Sequence, residues 1–221
     1  VEWYFRPGSL LSFAYFYKDI KSFIQNVNSQ IPFNQLGLPD ALLEGSNTAP
    51  TELFTVSQPF NTPGGPLKGF EINAQLPFTF LEDSFFSNFG VLANYTRVTS
   101  TINYILASSG GVPTVTTTAD LVGLSKNTMS GTVYYEDDKF SARVSGSYRE
   151  GYLQNVPGRN GNLTEGKTET FNVDASASFK FNDALTFTVE GLNLSDEWND
   201  QYVSSSGDRP SVYHRTGRQF Y

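Results

Sequence analysis

Few residues in this chain offer reaction chemistry. It contains no cysteine, so thiolate nucleophiles, disulfide frameworks and zinc–cysteine sites are excluded. The single histidine, His214, lies among Tyr213, Arg215 and Arg218, a setting that reads as structural or solvent-exposed rather than as a general base. Asp196, Glu197 and Asp200 cluster, but a calcium site takes about six to eight oxygen ligands and no such loop pattern surrounds them. Gly158-Arg159-Asn160-Gly161-Asn162 is glycine-rich without the helix that a phosphate site wants, and it reads as a flexible loop. No nucleophile elbow or P-loop occurs. The reading is therefore a non-enzymatic protein with no catalytic, cofactor-binding or metal site. A net charge of −7 lacks the basic footprint of a nucleic-acid binder.

What remains is a set of charges and rings. Arg143, Arg149, Asp174 and Glu190 are either a hydrated ladder or the lining of a path for a polar substrate. Phe54, Phe60, Tyr104, Tyr152, Trp198 and Tyr202 lie in segments that read as loops, where rings stack on sugars and chelates or pack the loops together. Both alternatives stay open for each set. Aromatics make 15% of the chain while charged residues make only 17%, against about a quarter in ordinary soluble domains.

The elements that must position these groups have a period of two. Phe70, Ile72, Ala74, Leu76, Phe78 and Phe80 share one face, against Glu71, Asn73, Gln75, Pro77 and Thr79 on the other. Phe140, Ala142, Val144, Gly146 and Tyr148 oppose Ser141, Arg143, Ser145, Ser147 and Arg149. Phe171, Val173, Ala175, Ala177, Phe179 and Phe181 oppose Asn172, Asp174, Ser176, Ser178 and Lys180. Successive strand side chains point to opposite faces, so each segment has one apolar and one polar side. The pattern predicts strands over 1–5, 10–24, 67–80, 87–104, 126–136, 139–152, 168–181, 185–195 and a last one starting near 212. The only helical expectation is a short turn within Leu36 to Glu44. Connections alternate short and long, which places the tight turns on one rim and the long loops on the other.

Several of these strands exceed the five or six residues usual in soluble sheets. No stretch reaches the ~18 apolar residues of a membrane helix, but a spanning strand needs only ~9–11. Phe140 and Tyr148, and likewise Phe171 and Phe179, bracket small residues on one face. Eight residues at ~3.3 Å each, tilted by ~40–45°, rise ~19–20 Å, close to the ~25 Å apolar band flanked by aromatic girdles. These four rings are expected at the lipid interfaces. Glu71, Asn73, Gln75, Arg143, Arg149, Asp174, Lys180 and Glu190 are expected to face a wet lumen. An open soluble sheet with a solvated side gives the same alternation.

The residues also resemble a known family. Leu124-Ser125-Lys126-Asn127-Thr128, Tyr134-Tyr135-Glu136, Phe140-Ser141-Ala142-Arg143, Gly191-Leu192-Asn193-Leu194-Ser195-Asp196-Glu197 and the closing Tyr213-His214-Arg215-Thr216-Gly217-Arg218-Gln219-Phe220-Tyr221 are similar to the late barrel of TonB-dependent receptors, and Lys68-Gly69-Phe70-Glu71 resembles an earlier strand start. The resemblance implies an all-β, antiparallel, up-and-down transmembrane barrel of about 22 strands around an N-terminal plug. Residues 1–221 would be the C-terminal portion of that barrel, roughly its last nine strands, with the plug outside this chain. Only closed barrels span lipid, so further strands are expected on the Val1 side. The resemblance further implies a Gram-negative outer-membrane location and energy-coupled import of a nutrient such as an iron–siderophore complex, haem, cobalamin or carbohydrate. The implied partners are outer-membrane lipid, the plug, an inner-membrane coupling complex and a small-molecule or oligosaccharide substrate, with no nucleic acid and no cofactor. The competing readings are a passive porin or barrel adhesin, and a soluble carbohydrate-binding β-module.

Overall fold

The computed structural model describes residues 1–82, 84–109, 112–204 and 208–221. Its strands are β1 (Glu2–Arg6), β2 (Ser9–Asp19), β3 (Ser22–Pro32), β4 (Leu53–Pro63), β5 (Pro66–Pro77), β6 (Phe89–Ser100), β7 (Ile102–Ser109), β8 (Val112–Ala119), β9 (Asn127–Glu136), β10 (Phe140–Arg149), β11 (Tyr152–Asn155), β12 (Thr164–Lys167), β13 (Thr170–Asn182), β14 (Leu185–Leu192), β15 (Gln201–Ser204), β16 (Asp208–Val212) and β17 (Gln219–Phe220). Among the described residues the only helical pieces are 3₁₀ turns at Phe33–Gln35, Asp40–Leu43 and Phe85–Asn88. The second of these falls within the predicted turn.

Nine strands form one sheet in the order β1-β2-β5-β6-β9-β10-β13-β14-β17, each antiparallel to its neighbours. This is the predicted meander. The sheet does not close on itself: β1 and β17 are its edges. Register keeps the two faces separate right across it. Ser145 pairs with Thr132 and Asp174, Thr132 with Leu92, and Leu92 with Gln75. On the other face Gly146 pairs with Gly131, Gly131 with Ala93, and Ala93 with Ala74. A slip of one residue anywhere would put charges among these small apolar residues, so the alternation itself fixes the register.

The long connections are partly built of strands rather than wholly irregular. The segments predicted as single strands over 10–24, 87–104 and 139–152 each break, and their continuations build two further sheets. One has the order β4-β3-β7-β8 and the other β11-β12-β15-β16. The second simply extends the wall, since β11 continues β10 and β12 leads into β13. In the first, the strand order reverses. In the wall, β5 lies between β2 and β6; beyond the break, β3 and not β4 lies next to β7. Two ascending strands therefore meet, with a parallel bridge at Ser29–Ser108 and a hydroxyl–hydroxyl hydrogen bond of 2.6 Å.

That reversal requires the hairpin to turn over at Ile20-Lys21 and Gly64-Gly65. The backbones approach so closely there that a Cβ on Gly64 would lie 1.9 Å from the Ile20 carbonyl oxygen, and one on Gly65 2.1 Å from that of Thr101. Only residues without a side chain fit such a crossing. The last predicted strand, near 212, is also divided: β16 ends at Val212 and the wall resumes only at Gln219. At the other end, Pro77 terminates β5 three residues short of the predicted end at 80.

Candidate functional site

The polar face of the wall is a connected amide and hydroxyl surface. Asn73 donates to Ser12 Oγ and to Glu71 Oε1, both at 3.2 Å. Asn94 donates to Glu71 Oε1 at 3.0 Å and to Asn73 Oδ1 at 2.5 Å. Thr132 and Ser145 share a hydrogen bond of 2.8 Å, and Ser178 and Thr188 one of 3.0 Å. Register brings Arg143 opposite Ser176, and Ser176 opposite Glu190. Gln75 donates to the Gly8 carbonyl at 3.1 Å, tying it to the tight turn. Asp174 Oδ1 accepts the Asn193 N–H at 2.8 Å, and Lys180 pairs with Asp183 at 2.7 Å. Arg149 lies at the far end of this face. Its guanidinium donates to Ser125 Oγ at 2.8 Å and to the Gly123 carbonyl at 3.2 Å, and sits 4.0 Å from the Tyr152 ring centroid. It braces the 121–126 connection.

On the opposite face, rings gather in two bands. Phe140 pairs with Phe179, and Phe179 with Phe187, at the end carrying the tight turns, where Phe85, Phe89 and Tyr135 pack together. Tyr148 pairs with Phe171 and with Met129 at the other end. Val133, Val144, Ala175 and the Gly146–Ala74 row lie between.

The six predicted loop rings do not converge. Phe54 packs on Phe33 with centroids 5.6 Å apart. Phe60 lies on β4 and is partly exposed. Trp198 bridges to Arg215, whose guanidinium is 5.1 Å from its ring. Tyr152 and Tyr202 line one hollow of about 200 Å³, and Tyr202 occupies the space that a Cβ on Gly166 would need. Tyr104 must be corrected: it is not an exposed loop ring but 1% exposed. It lies on β7, which the extension sheet buries, and packs edge-on against Phe23 at 5.4 Å. Its hydroxyl donates to the Asp120 carbonyl and accepts from the Val122 N–H, both at 2.9 Å, while burial raises its pKa above the ordinary tyrosine value.

One large concavity has no counterpart in the sequence pattern. A cleft of about 920 Å³ opens between β3, β7, the 121–122 connection and the 154–163 segment. Three buried polar groups hold its walls. Gln25, 4% exposed, donates to the carbonyls of Ile105 (2.6 Å) and Val156 (3.4 Å) and accepts from the Ile105 N–H (3.1 Å). It thereby ties β3 to β7 and to the opposite wall. Tyr104 anchors the 120–122 stretch. Glu165, 6% exposed, accepts from Asn155 at 2.7 Å, from the Arg159 backbone at 3.1 Å and from the Arg159 guanidinium at 3.0 Å. Burial pushes its carboxyl up, but these three donors outweigh burial and hold it below the usual glutamate range. Arg159-Asn160-Gly161-Asn162, read from sequence as a plain loop, forms the rim. The signal available in sequence was its run of amides rather than its glycines.

A long-stranded antiparallel meander, apolar on one face and polar on the other, with tight turns at one end and built extensions at the other, defines the outer-membrane β-barrel class. Residues 1–194 match the family described as TonB dependent receptor-like, beta-barrel, and the chain belongs to that family. No curated protein and no solved structure matches it. The family is one of outer-membrane TonB-dependent transport in Gram-negative bacteria, a transporter rather than an enzyme family, whose members engage a plug, the coupling complex and a small-molecule substrate.

Proposed function

We propose that this chain is the C-terminal wall and outward-facing end of the barrel of an energy-coupled importer of a scarce small-molecule nutrient. The observation that carries the reading is the separation of faces along the long strands of the wall, clearest in β5, β10, β13 and β14. Glu71, Asn73, Gln75, Arg143, Asp174, Lys180 and Glu190 then face the lumen and hydrate a plug, and Arg149 fastens the outer end. Phe140 and Phe179, and Tyr148 and Phe171, mark the two lipid interfaces. The wall does no covalent chemistry. Its ladder supplies a rigid frame against which a coupled pull on the plug does work, while the extensions shape the mouth. Trp198, Phe54, Phe60, Tyr152 and Tyr202 stiffen that mouth or line its hollows.

The test is nutrient-dependent growth and uptake of labelled substrate by cells carrying the full-length protein, with and without the inner-membrane coupling complex. Uptake should vanish without the complex while surface binding persists. Uptake that is indifferent to the complex would overturn the reading in favour of a passive porin. Recovery of the full-length protein in the soluble fraction without detergent would point to a β-module instead.

A further inference from the structure

We propose that the cleft between β3, β7 and the 154–163 segment is a binding site for a neutral, hydroxyl-rich ligand, a short uncharged oligosaccharide. The proposal rests on the importer reading only in placing the cleft at the end open to the outside medium.

Size comes first. About 920 Å³ lies at the upper end of small-molecule sites, which run to about 1,000 Å³. The lining decides the chemistry. Asn26, Asn28, Gln154, Asn155, Asn160 and Asn162 all line it. A side-chain amide both donates and accepts, as a sugar hydroxyl does, so opposed amides and hydroxyls satisfy each other without net charge. Among the described residues, Asn26, Asn28, Gln154 and Asn160 have no side-chain hydrogen bond within the chain. Asn26, Asn28 and Asn160 are exposed. These groups are available to a ligand, whereas Asn155 and Asn162 already donate to Glu165 and to the Arg159 carbonyl.

Charge is missing where a charged ligand would need it. Among the described residues the lining contains no lysine, aspartate or glutamate, and its one cation, Arg159, is engaged by Glu165. An anionic chelate would have to compete with that carboxylate for the Arg159 guanidinium, and among the described lining residues a cation would meet no counter-charge. Between the amides lie Leu121, Val122 and Leu163, which offer apolar surface to the C–H faces of a pyranose.

The site is also built before the ligand arrives. Gln25, Tyr104 and Glu165 spend their own hydrogen bonds on the walls, so binding need not order the segments that make contact. This division between buried groups that hold and exposed amides that bind explains why polar residues are buried here at all.

The experiment is calorimetry on the purified full-length protein in detergent, titrated with neutral oligosaccharides prepared from glucan, xylan and mannan. Polygalacturonate oligomers and a ferric hydroxamate complex serve as charged comparisons. At least one neutral series should bind, the charged ligands should not compete for it, and the double variant Asn26→Ala/Asn28→Ala should weaken it by about tenfold or more, the loss of two hydrogen bonds. An Asn160→Ala variant on the opposite wall should weaken the same ligand, which guards against a fold defect confined to β3. Failure of every neutral series, an unchanged affinity in both variants, or preferential binding of a charged ligand that the variants weaken would each overturn the assignment. Sugar binding that the variants abolish, together with uptake indifferent to the coupling complex, supports the cleft and sinks the importer reading. Coupled uptake of a ligand whose affinity ignores Asn26, Asn28 and Asn160 does the reverse.

Discussion

The wall and its extensions solve opposite problems with the same strands. Among the described residues, every buried apolar side chain (Val27, Phe33, Ile102, Tyr104 and Val156) belongs to the extensions and their connections, and none to the nine-stranded sheet. In the wall Phe13, Ile72, Met129, Val133, Val144, Phe171 and Val189 stay exposed. A soluble sheet would bury such a face against a second layer. On the importer reading proposed above, the apolar face meets lipid, a solvent that is itself apolar, and the polar face meets water. The extensions instead pack as soluble sheets do, around Ile102, Tyr104 and Val156 with Phe23, Leu106, Leu121 and Leu153 packed against them. One chain thus carries two hydrophobic patterns, inside-out in the wall and conventional beyond it.

The largest expected effect tests the conventional half. Tyr104→Ala removes the largest fully buried side chain and leaves the Asp120 carbonyl and Val122 N–H unpaired. A loss of about 3–5 kcal/mol, as for other buried aromatics, should fall on the extension alone. Limited proteolysis should cut the 121–126 and 153–163 segments, while heat-dependent migration of the folded barrel on gels stays unchanged. Loss of both together would mean the two regions are one cooperative unit.

Next comes a pair of substitutions one residue apart. Val144→Arg places a cation in the middle of the apolar face and should cost about 2–4 kcal/mol in lipid. Ser145→Arg, on the polar face, should cost under about 1 kcal/mol, because the side chain reaches water. Unfolding by urea in lipid vesicles measures both. Equal costs would contradict the assignment of faces.

The smallest effect is a pH dependence. Because the Glu165 carboxyl is held below its ordinary range, the stability it contributes is fully present above the unfolded value of about 4.3 and is lost as pH falls through the lower folded value. Proteolysis of the 153–163 segment should therefore accelerate below about pH 4 in the native protein. In Glu165→Gln it should be raised at neutral pH and flat through the same range. An unaltered acid profile in that variant would place the sensitive group elsewhere.

The wall was legible because it repeats. Phe70 to Leu76, Phe140 to Tyr148 and Phe171 to Phe181 alternate large apolar with polar side chains, and nine such segments in order define the sheet. The extensions were not. In β3 the inward residues are Gln25, Val27 and Ser29, and in β8 the run Thr114-Val115-Thr116-Thr117-Thr118 has β-branched residues on both faces. With so little apolar contrast, period two does not stand out, and amide-rich segments read as loops. Tyr104 read as exposed for the same reason: nothing near it in sequence announces the core that buries it.

By itself, then, the sequence determined the strands of the wall, their pairing and their two faces, because side-chain direction in a strand is set locally by the backbone. The cleft belongs to the tertiary structure. Gln25 joins carbonyls 80 and 131 residues away, and it reaches them only because the β3–β4 hairpin turns over at Gly64-Gly65 and lays β3 beside β7. Contacts at that separation follow from how whole elements cross, which no local period records.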